Sequence, residues 1–162
     1  MKPWDRRPIE VRNLFNPAFC GLILFRSMSG YEEENIDGMP FSLSLLVLPL
    51  CLYKSSRLLI ADSPRSPLLK IIEKKPEILV GFADRAADLL PYTLEALGFL
   101  MQRCCFVVSS EGRLKIVRDK VRKSVRGTEE SVACQRTARF IGKEFARISD
   151  RVTIYTTLGV QP

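Results

Sequence analysis

The apolar residues of this chain recur mostly at helical spacing. From residue 76 onwards an apolar stripe returns every three or four positions, at Leu79, Phe82, Ala83, Ala86 and Leu90. This spacing predicts a helix that begins at Pro76. Because Pro91 has no amide hydrogen to donate, we expect a break there and a further helix from 91 to about 103. A strong amphipathic helix is predicted after Thr128, with its stripe at Cys134, Ala138, Ile141, Phe145 and Ile148.

The first half of the chain also has helix signals. Asn16 can cap the free amides of a helix, and Pro17 suits the first helical position. We therefore expect a helix from Pro17 to near Ser29, ended by Gly30 and followed by an acidic surface loop over 31–38. Residues 42–53 predict a mostly buried second helix that Pro49 bends or interrupts.

Three short runs are typical of strands. Residues 105–108 and 114–117 are β-prone and flank a loop that contains Gly112, which predicts a hairpin. Residues 152–160 alternate β-branched and aromatic side chains and predict a closing strand. The expected fold is a mainly helical α+β single domain over 1–162. It comprises a lead segment (1–12), a winged-helix-like core of helix, turn, helix and hairpin (76–117), and a C-terminal amphipathic helix with its strand (128–162).

Composition agrees with one folded domain. The 162 residues are 46% hydrophobic and 27% charged, which is the ordinary range for a globular chain. The basic N-terminus is not followed by an apolar stretch, so we expect no signal peptide. The most apolar window, 41–53, is shorter than the roughly 20 residues that cross a bilayer. We therefore expect a cytoplasmic protein without a membrane partner.

The residue types needed for common catalytic and metal sites are scarce. The chain has no histidine, no glycine-rich phosphate loop and no CxxC pair among its five cysteines. We therefore predict no metal, no cofactor and no catalytic residue. An enzyme with a cysteine nucleophile at Cys104 or Cys105 is the least favoured class. Neighbouring strand residues face opposite sides, which predicts one buried and one exposed thiol in this pair.

The net charge of +7 is concentrated in one block. Residues 113–126 hold seven basic residues against a single acid. Arg118, Arg122 and Arg126 are four apart, which predicts a helix with one arginine ridge. Together with Lys123, these residues are candidates for binding phosphate or an acidic partner. A solvated face or a linker explains the same pattern equally well.

The predicted helix over 91–103 does not suit base recognition. It carries Glu95 where a DNA-reading helix needs basic or amide side chains, and only Gln102 and Arg103 follow at its end. Its other positions are largely apolar, which favours core or a protein contact. Phosphate binding by the basic block without sequence preference remains open.

Several motifs occur together along nearly the whole chain. They are RPIEV at 7–11, NLFNPAFCG at 13–21, GMPF at 38–41, LVLPL at 46–50, PEILVGFADRA at 76–86, ARFIG at 138–142 and LGVQP at 158–162. On these motifs the chain resembles the middle component of bacterial three-component ABC ATPase systems, such as Lamassu-type defence against phage and plasmids. The resemblance implies a non-catalytic accessory subunit that bridges an SMC- or Rad50-like ATPase and an effector, often a nuclease, with DNA reached through the complex.

The motif segments also supply candidate contacts with these partners. Asn13, Asn16 and Arg85 are polar residues that a core role alone would not require, although buried hydrogen bonds could require them equally well. Phe15 and Phe19, together with Trp4, are candidate apolar anchors, with core packing as the alternative. The alternative function is a stand-alone winged-helix DNA-binding protein that acts without an ATPase.

Overall fold

The structure is a computed structural model that describes residues 6–63 and 65–161. The helices within these ranges are α1 (Ile9–Leu14), α2 (Pro17–Glu34), α3 (Phe41–Ser44), α4 (Val47–Leu52), α5 (Lys54–Ala61), α6 (Leu68–Lys74), a 3-10 helix (Pro76–Leu79), α7 (Phe82–Gln102), α8 (Glu129–Ile148) and α9 (Arg151–Thr157). The strands are β1 (Met39–Pro40), β2 (Phe106–Val108) and β3 (Arg113–Ile116). The prediction of a mainly helical α+β chain is confirmed.

Helix α2 begins as predicted but ends later. The side chain of Asn16 accepts a hydrogen bond from the Ala18 amide at 2.8 Å, and Pro17 opens the helix. The expected end at Gly30 is wrong, because the helix continues to Glu34 and includes part of the predicted acidic loop. Gly30 lies where α8 crosses: a Cβ there would be 2.2 Å from the carbonyl oxygen of Arg139. The glycine permits close packing and does not end the helix.

The centre of the molecule is the pair of helices α2 and α8. The two backbones also approach at Gly142, where a Cβ would lie 1.9 Å from the Ser27 carbonyl oxygen. The predicted cap of α8 is confirmed, since the Thr128 hydroxyl accepts from the Ser131 amide at 3.2 Å. The predicted stripe is also confirmed: it is buried from Cys134 to Phe145, and Ile148 packs at its edge.

The apolar window over 41–53 forms two short helices, α3 and α4. The interruption falls at residues 45–46, ahead of Pro49. Pro49 lies in the first turn of α4, where its missing amide has no helical acceptor to lose. No single helix in the described residues is long and apolar enough to span a membrane. The α3–α4 segment and α5 reach that length and hydropathy only as a pair bent by 92°.

The predicted helix-turn-helix over 76–103 is wrong, because most of this segment forms one continuous helix, α7. It begins at Phe82, after Gly81 in a left-handed conformation (φ +62°), and runs through Pro91 to Gln102 without a break. Residues 76–79 form the separate 3-10 helix. An interior proline costs a helix about 3 kcal/mol. Packing on both sides of Pro91, where Phe82 and Leu97 are buried in the core, outweighs that local cost.

The predicted hairpin is confirmed as β2 and β3, which pair antiparallel with Phe106 opposite Ile116. The sequence did not predict β1, whose Met39 pairs with Leu114 of β3. The strand order is therefore β1-β3-β2. This sheet lies at one end of α7 and brings the loop before α3 next to the hairpin.

The predicted closing strand is wrong, because residues 151–157 form helix α9. Asp150 caps this helix: its carboxylate accepts from the amides of Val152 at 3.3 Å and Thr153 at 2.9 Å. The buried residues Ile154 and Leu158 are four apart, which is helical spacing. An aspartate cap and one i,i+4 pair therefore outweigh the β-propensity of the segment.

The predicted arginine-ridged helix is also wrong. Residues 117–128, the basic loop hereafter, contain no regular helix. Side chains of other helices donate hydrogen bonds to the backbone carbonyls of this loop. Arg26 donates to the carbonyls of Lys123 and Ser124, and Gln135 donates to that of Arg126. A helix would use these carbonyls internally, so the tertiary hydrogen bonds replace the helical ones.

Candidate interaction surfaces

The first candidate surface is a groove beside α1. It has a volume of about 490 Å³, and we call it the N-terminal groove. Its lining includes Asn13, Leu14, Phe15, Phe19, Leu52, Arg57, Glu130 and Cys134. Leu14 is 63% exposed, whereas Phe15 stacks on Tyr92 with ring centroids 4.5 Å apart. The structure thus brings together three predicted partner-binding residues, Asn13, Phe15 and Phe19.

The other predicted partner-binding residues lie elsewhere. Asn16 caps α2, as described above. Arg85 donates hydrogen bonds to the carbonyls of Val80 and, at 3.0 Å, Ile78, and its guanidinium lies 4.1 Å from the centroid of the Tyr53 ring. Both side chains therefore have roles inside the fold, and their contact with a partner stays a prediction. Trp4 is outside the described residues.

Sequence reasoning missed the ion pair in the N-terminal groove. Arg57 is buried, and it donates to the Cys51 carbonyl at 2.9 Å and to Glu130 at 2.7 Å. The pair joins α5 to the first turn of α8, two segments that are 73 positions apart. No local pattern connects residues at such a separation, so only the fold could reveal this contact.

Helix α7 also holds the lead segment. Arg7 is buried and donates two hydrogen bonds to the Glu95 carboxylate, at 2.6 and 2.8 Å. This bidentate pair is a strong, geometrically specific contact. Glu95, which argues against base recognition by this helix, therefore has a role in docking the residues before α1.

A second groove lies where α7 meets the hairpin, and we call it the hairpin groove. It has a volume of about 520 Å³ and is almost wholly apolar. Its exposed apolar side chains are Phe41, Leu94, Met101 and Val108. Gly98 lies between Leu94 and Met101 on the same helix face, and a Cβ there would meet nothing within 4 Å. The missing side chain leaves the recess open.

The basic loop keeps its predicted charge but not its predicted geometry. Arg118, Arg122, Lys123 and Arg126 are all exposed. Val121 and Val125 are half-buried, and Val121 packs against the core. Arg118 and Lys123 line a cavity of about 530 Å³ between the loop, α2 and α8, which we call the basic pocket. Arg122 and Arg126 do not line it, so Arg118, Arg122 and Arg126 do not form the predicted ridge.

The cysteines are mostly buried. Burial raises the pKa of the Cys20 thiol to about 12 and raises the pKa values of Cys51, Cys134 and Cys105. Protonated thiols are poor nucleophiles and poor metal ligands. As predicted for the adjacent pair, Cys105 is buried and Cys104 is exposed. Among the described residues, no group of three His, Cys, Asp or Glu side chains could hold a metal ion.

The described residues define the class: a mainly helical α+β protein with recesses on several sides. A family model described as ABC-three component (ABC-3C) system Middle Component 3 matches residues 4–162. The chain belongs to this family, which confirms the resemblance to a middle component of three-component systems. No curated protein and no solved structure gives a significant match.

Proposed function

We propose that this chain is a non-catalytic accessory subunit that joins an SMC- or Rad50-like ATPase to an effector nuclease. The complex acts in the bacterial cytoplasm against phage or plasmid DNA, as in Lamassu-type defence. Membership in a middle-component family supports an accessory role within a three-component system. The raised pKa values of the four buried thiols and the ion pairs of Arg7 and Arg57 within the fold are consistent with a subunit that works through its surfaces.

The observation that carries the bridging proposal is the presence of two grooves with exposed apolar side chains that share no lining residue. The N-terminal groove exposes Leu14, and the hairpin groove exposes Leu94 and Met101. Exposed apolar side chains beside a recess are typical of protein-binding sites, because a partner side chain that fills the recess removes both surfaces from water. A bridging subunit needs two such sites, one for each partner.

We keep a winged-helix-like arrangement as the finer proposal for the fold, with the single helix α7 in place of the two helices predicted over 76–103. It is supported by the hairpin that directly follows α7 and by β1, which extends the sheet on the far side of β3. The exposed face of α7 carries Leu94 and Met101, and Glu95 is paired with Arg7, so the helix offers protein contacts in preference to base contacts. We therefore propose that DNA is approached through the basic loop, by phosphate contacts without sequence preference.

The first experiment is co-expression of the chain with the ATPase and effector subunits of its own system. The complex is purified through a tag on this chain, and its mass is measured. We expect the ATPase and the effector to be recovered in a fixed ratio. A lone monomer or dimer that retains DNA in a salt-sensitive way would contradict bridging. It would favour the second candidate, a stand-alone DNA-binding protein, which the exposed basic loop supports.

Two substitutions then test each groove separately. Gly98→Glu places a charge in the hairpin groove, and the open space at this position lets the chain fold around it. Leu14→Glu does the same at the N-terminal groove. We expect each variant to lose one partner, a different one in each case, and to retain the other.

Matched controls separate groove contacts from general effects. Gly98→Ala changes the same position without a charge, and Leu58→Glu alters a leucine that is 56% exposed and lines neither groove. Both controls should recover the full complex. The bridging proposal fails if both groove variants lose the same partner, or if both retain the two partners.

A further inference from the structure

The basic pocket lies apart from both grooves. It is formed by the second half of α2, the first half of α8 and the basic loop. Its charged lining residues are Arg26, Arg118, Lys123, Arg136 and Arg139, with Glu33 and Asp119. Apolar side chains complete the wall: Phe25, Ile116, Val121 and Val125. The cavity of about 530 Å³ therefore combines charged and apolar side chains in its wall.

Arg26 is the unusual residue of this pocket. It is only 7% exposed. It donates to the Gln135 side chain at 3.2 Å and to the carbonyls of Lys123 at 3.3 Å and Ser124 at 3.1 Å, all of which are neutral acceptors. Among the described residues no carboxylate forms an ion pair with it. Burial, followed by the charge of Arg139, lowers the pKa of Arg26.

A buried guanidinium without a counter-ion is costly, because it has lost hydration and gained no opposite charge. The rest of the pocket does not compensate it. Five basic residues line the cavity against two acidic ones, an excess of three. Glu33 is also engaged already, by Arg139 at 2.6 Å and by Lys143 at 2.5 Å. The other basic lining residues are exposed and hydrated: Arg118, Lys123, Arg136 and Arg139. Arg26 is therefore the buried charge of this pocket that lacks an opposite charge among the described residues, and an anion bound beside it would balance that charge.

Hydrogen bonds within the chain set the wall of the pocket. Arg26 and Gln135 hold the carbonyls of the basic loop, which fixes the loop against α2 and α8. Gln135 also donates to the Ser131 hydroxyl at 3.3 Å. Because these part-buried hydrogen bonds already fix the loop, little conformational entropy remains to be lost when an anion enters.

We propose that the basic pocket is a binding site for a multiply charged phosphoryl anion, either the phosphate groups of a free nucleotide or consecutive phosphates of a nucleic acid. A single carboxylate would balance only one of the three excess charges. Phosphoryl groups carry more charge and several acceptor oxygens, which suit the donor forks of arginine. This proposal is independent of the bridging role, since neither groove contributes to the pocket. For a nucleic acid ligand it rests on the DNA contact proposed above for the basic loop, and binding of pyrophosphate alone would support the pocket while contradicting that contact.

The test uses the full chain with two probes. Binding of inorganic pyrophosphate is measured by titration calorimetry, and binding of a labelled DNA duplex is measured by fluorescence anisotropy at low and physiological salt. The double variant Arg118→Gln with Lys123→Gln removes two pocket charges. It leaves in place the hydrogen bonds from Arg26 and Gln135 to the backbone carbonyls of the loop. We expect at least about tenfold weaker binding in this variant.

The control variant is Lys54→Gln with Lys74→Gln, which removes two exposed charges outside the pocket. It should bind within about twofold of the unmodified chain, because exposed charges at a distance are largely screened. Equal weakening in the two double variants would overturn the proposal, since only net charge would then matter. Binding of neither probe to the unmodified chain would overturn it as well.

The two probes also distinguish the sources of phosphate. If pyrophosphate binds and the duplex does not, the ligand class is a free nucleotide or polyphosphate. Duplex that binds and is displaced by pyrophosphate identifies a nucleic acid held in the pocket. Arg26→Met is the final variant: circular dichroism checks its fold, and a folded Arg26→Met protein that binds pyrophosphate with unchanged affinity would exclude Arg26 from the site.

Discussion

The α2–α8 pair and the hairpin groove both depend on a glycine within a helix, with opposite results. At Gly142 a Cβ would lie 1.9 Å from the backbone of the facing helix, whereas at Gly98 it would meet nothing within 4 Å. The first glycine lets two backbones close against each other. The second leaves a recess open to solvent. The same residue type therefore serves internal packing in one region and keeps a surface recess open in the other.

The surroundings of the two glycines differ in the same way. The edges of the α2–α8 pair are joined by ion pairs, from Glu33 to Arg139 and Lys143 and from Glu34 to Arg147. No ion pair crosses the hairpin groove within the described chain, and its apolar side chains face water. The α2–α8 pair thus has its charged and apolar groups in contact with other groups of the chain, whereas the hairpin groove leaves apolar side chains exposed. We expect substitutions in the first to change stability and substitutions in the second to change binding.

The largest effect is expected for Gly142→Ala. The added methyl group overlaps the Ser27 carbonyl, so the two helices must separate along their whole contact. We expect a loss of about 3 kcal/mol or more in the free energy of unfolding. Urea unfolding followed by circular dichroism measures it. A loss below about 1 kcal/mol would show that the helices do not pack this closely.

Gly21→Ala tests an intermediate case on the other side of α2. Here a Cβ would lie 3.2 Å from Cγ of Leu100, the side chain of a leucine that can shift. We expect a loss of about 1 kcal/mol, because overpacking is partly offset by the better helix propensity of alanine. The same urea series measures it. An effect as large as that of Gly142→Ala would mean that the α2–α7 contact is equally rigid.

Gly98→Ala should change the free energy of unfolding in the opposite direction. The position is helical and open, so alanine adds helix propensity without a clash. We expect the free energy of unfolding to rise by about 0.5–1 kcal/mol. Thermal and urea unfolding both report this change. Destabilisation would mean that the groove is narrower than the structure shows, and the comparison between the two glycines would fail.

The smallest effect concerns the ion pairs beside the α2–α8 contact. Burial would raise the pKa of Glu33, but its bonds to Arg139 and Lys143 outweigh burial and lower it below the usual 4.5. Folding therefore favours the ionised form, and its contribution is present above pH 4.5 and lost as the pH falls through the folded pKa. Glu33→Gln should cost about 0.5 kcal/mol at neutral pH.

The pH dependence provides the check on that substitution. In urea unfolding the gap between Glu33→Gln and the unmodified chain should close as the pH falls below 4.5. A gap that stays constant with pH would mean that the variant acts through packing and that the carboxylate charge contributes nothing.

Local signals predicted the elements that depend on local chemistry. The caps at Asn16 and Thr128 and the apolar stripe of α8 each lie within a few residues of the structure they specify. The hairpin likewise needed only two β-prone runs and a glycine between them. The NLFNPAFCG segment also directed attention to Asn13, Phe15 and Phe19, which the structure places in one groove.

The errors have a common origin in contacts between distant segments. Pro91 stays within a helix because residues on both sides of it are packed in the core. The arginine-rich stretch stays a loop because Arg26, almost 100 positions away, takes the loop's carbonyls as acceptors. The closing strand is the exception, since the Asp150 cap is a local signal that the alternating pattern concealed.

The sequence by itself determined the fold class, the family and the two central helices, because caps, apolar periodicity and motif order are carried by neighbouring residues. Only the tertiary structure decided where the surfaces lie. The hairpin groove needs Phe41 of α3 beside Met101 of α7, and the basic pocket needs Arg26 of α2 beneath the basic loop. Such sites depend on which distant segments pack together, and that is settled by the burial and hydrogen bonding of the whole chain.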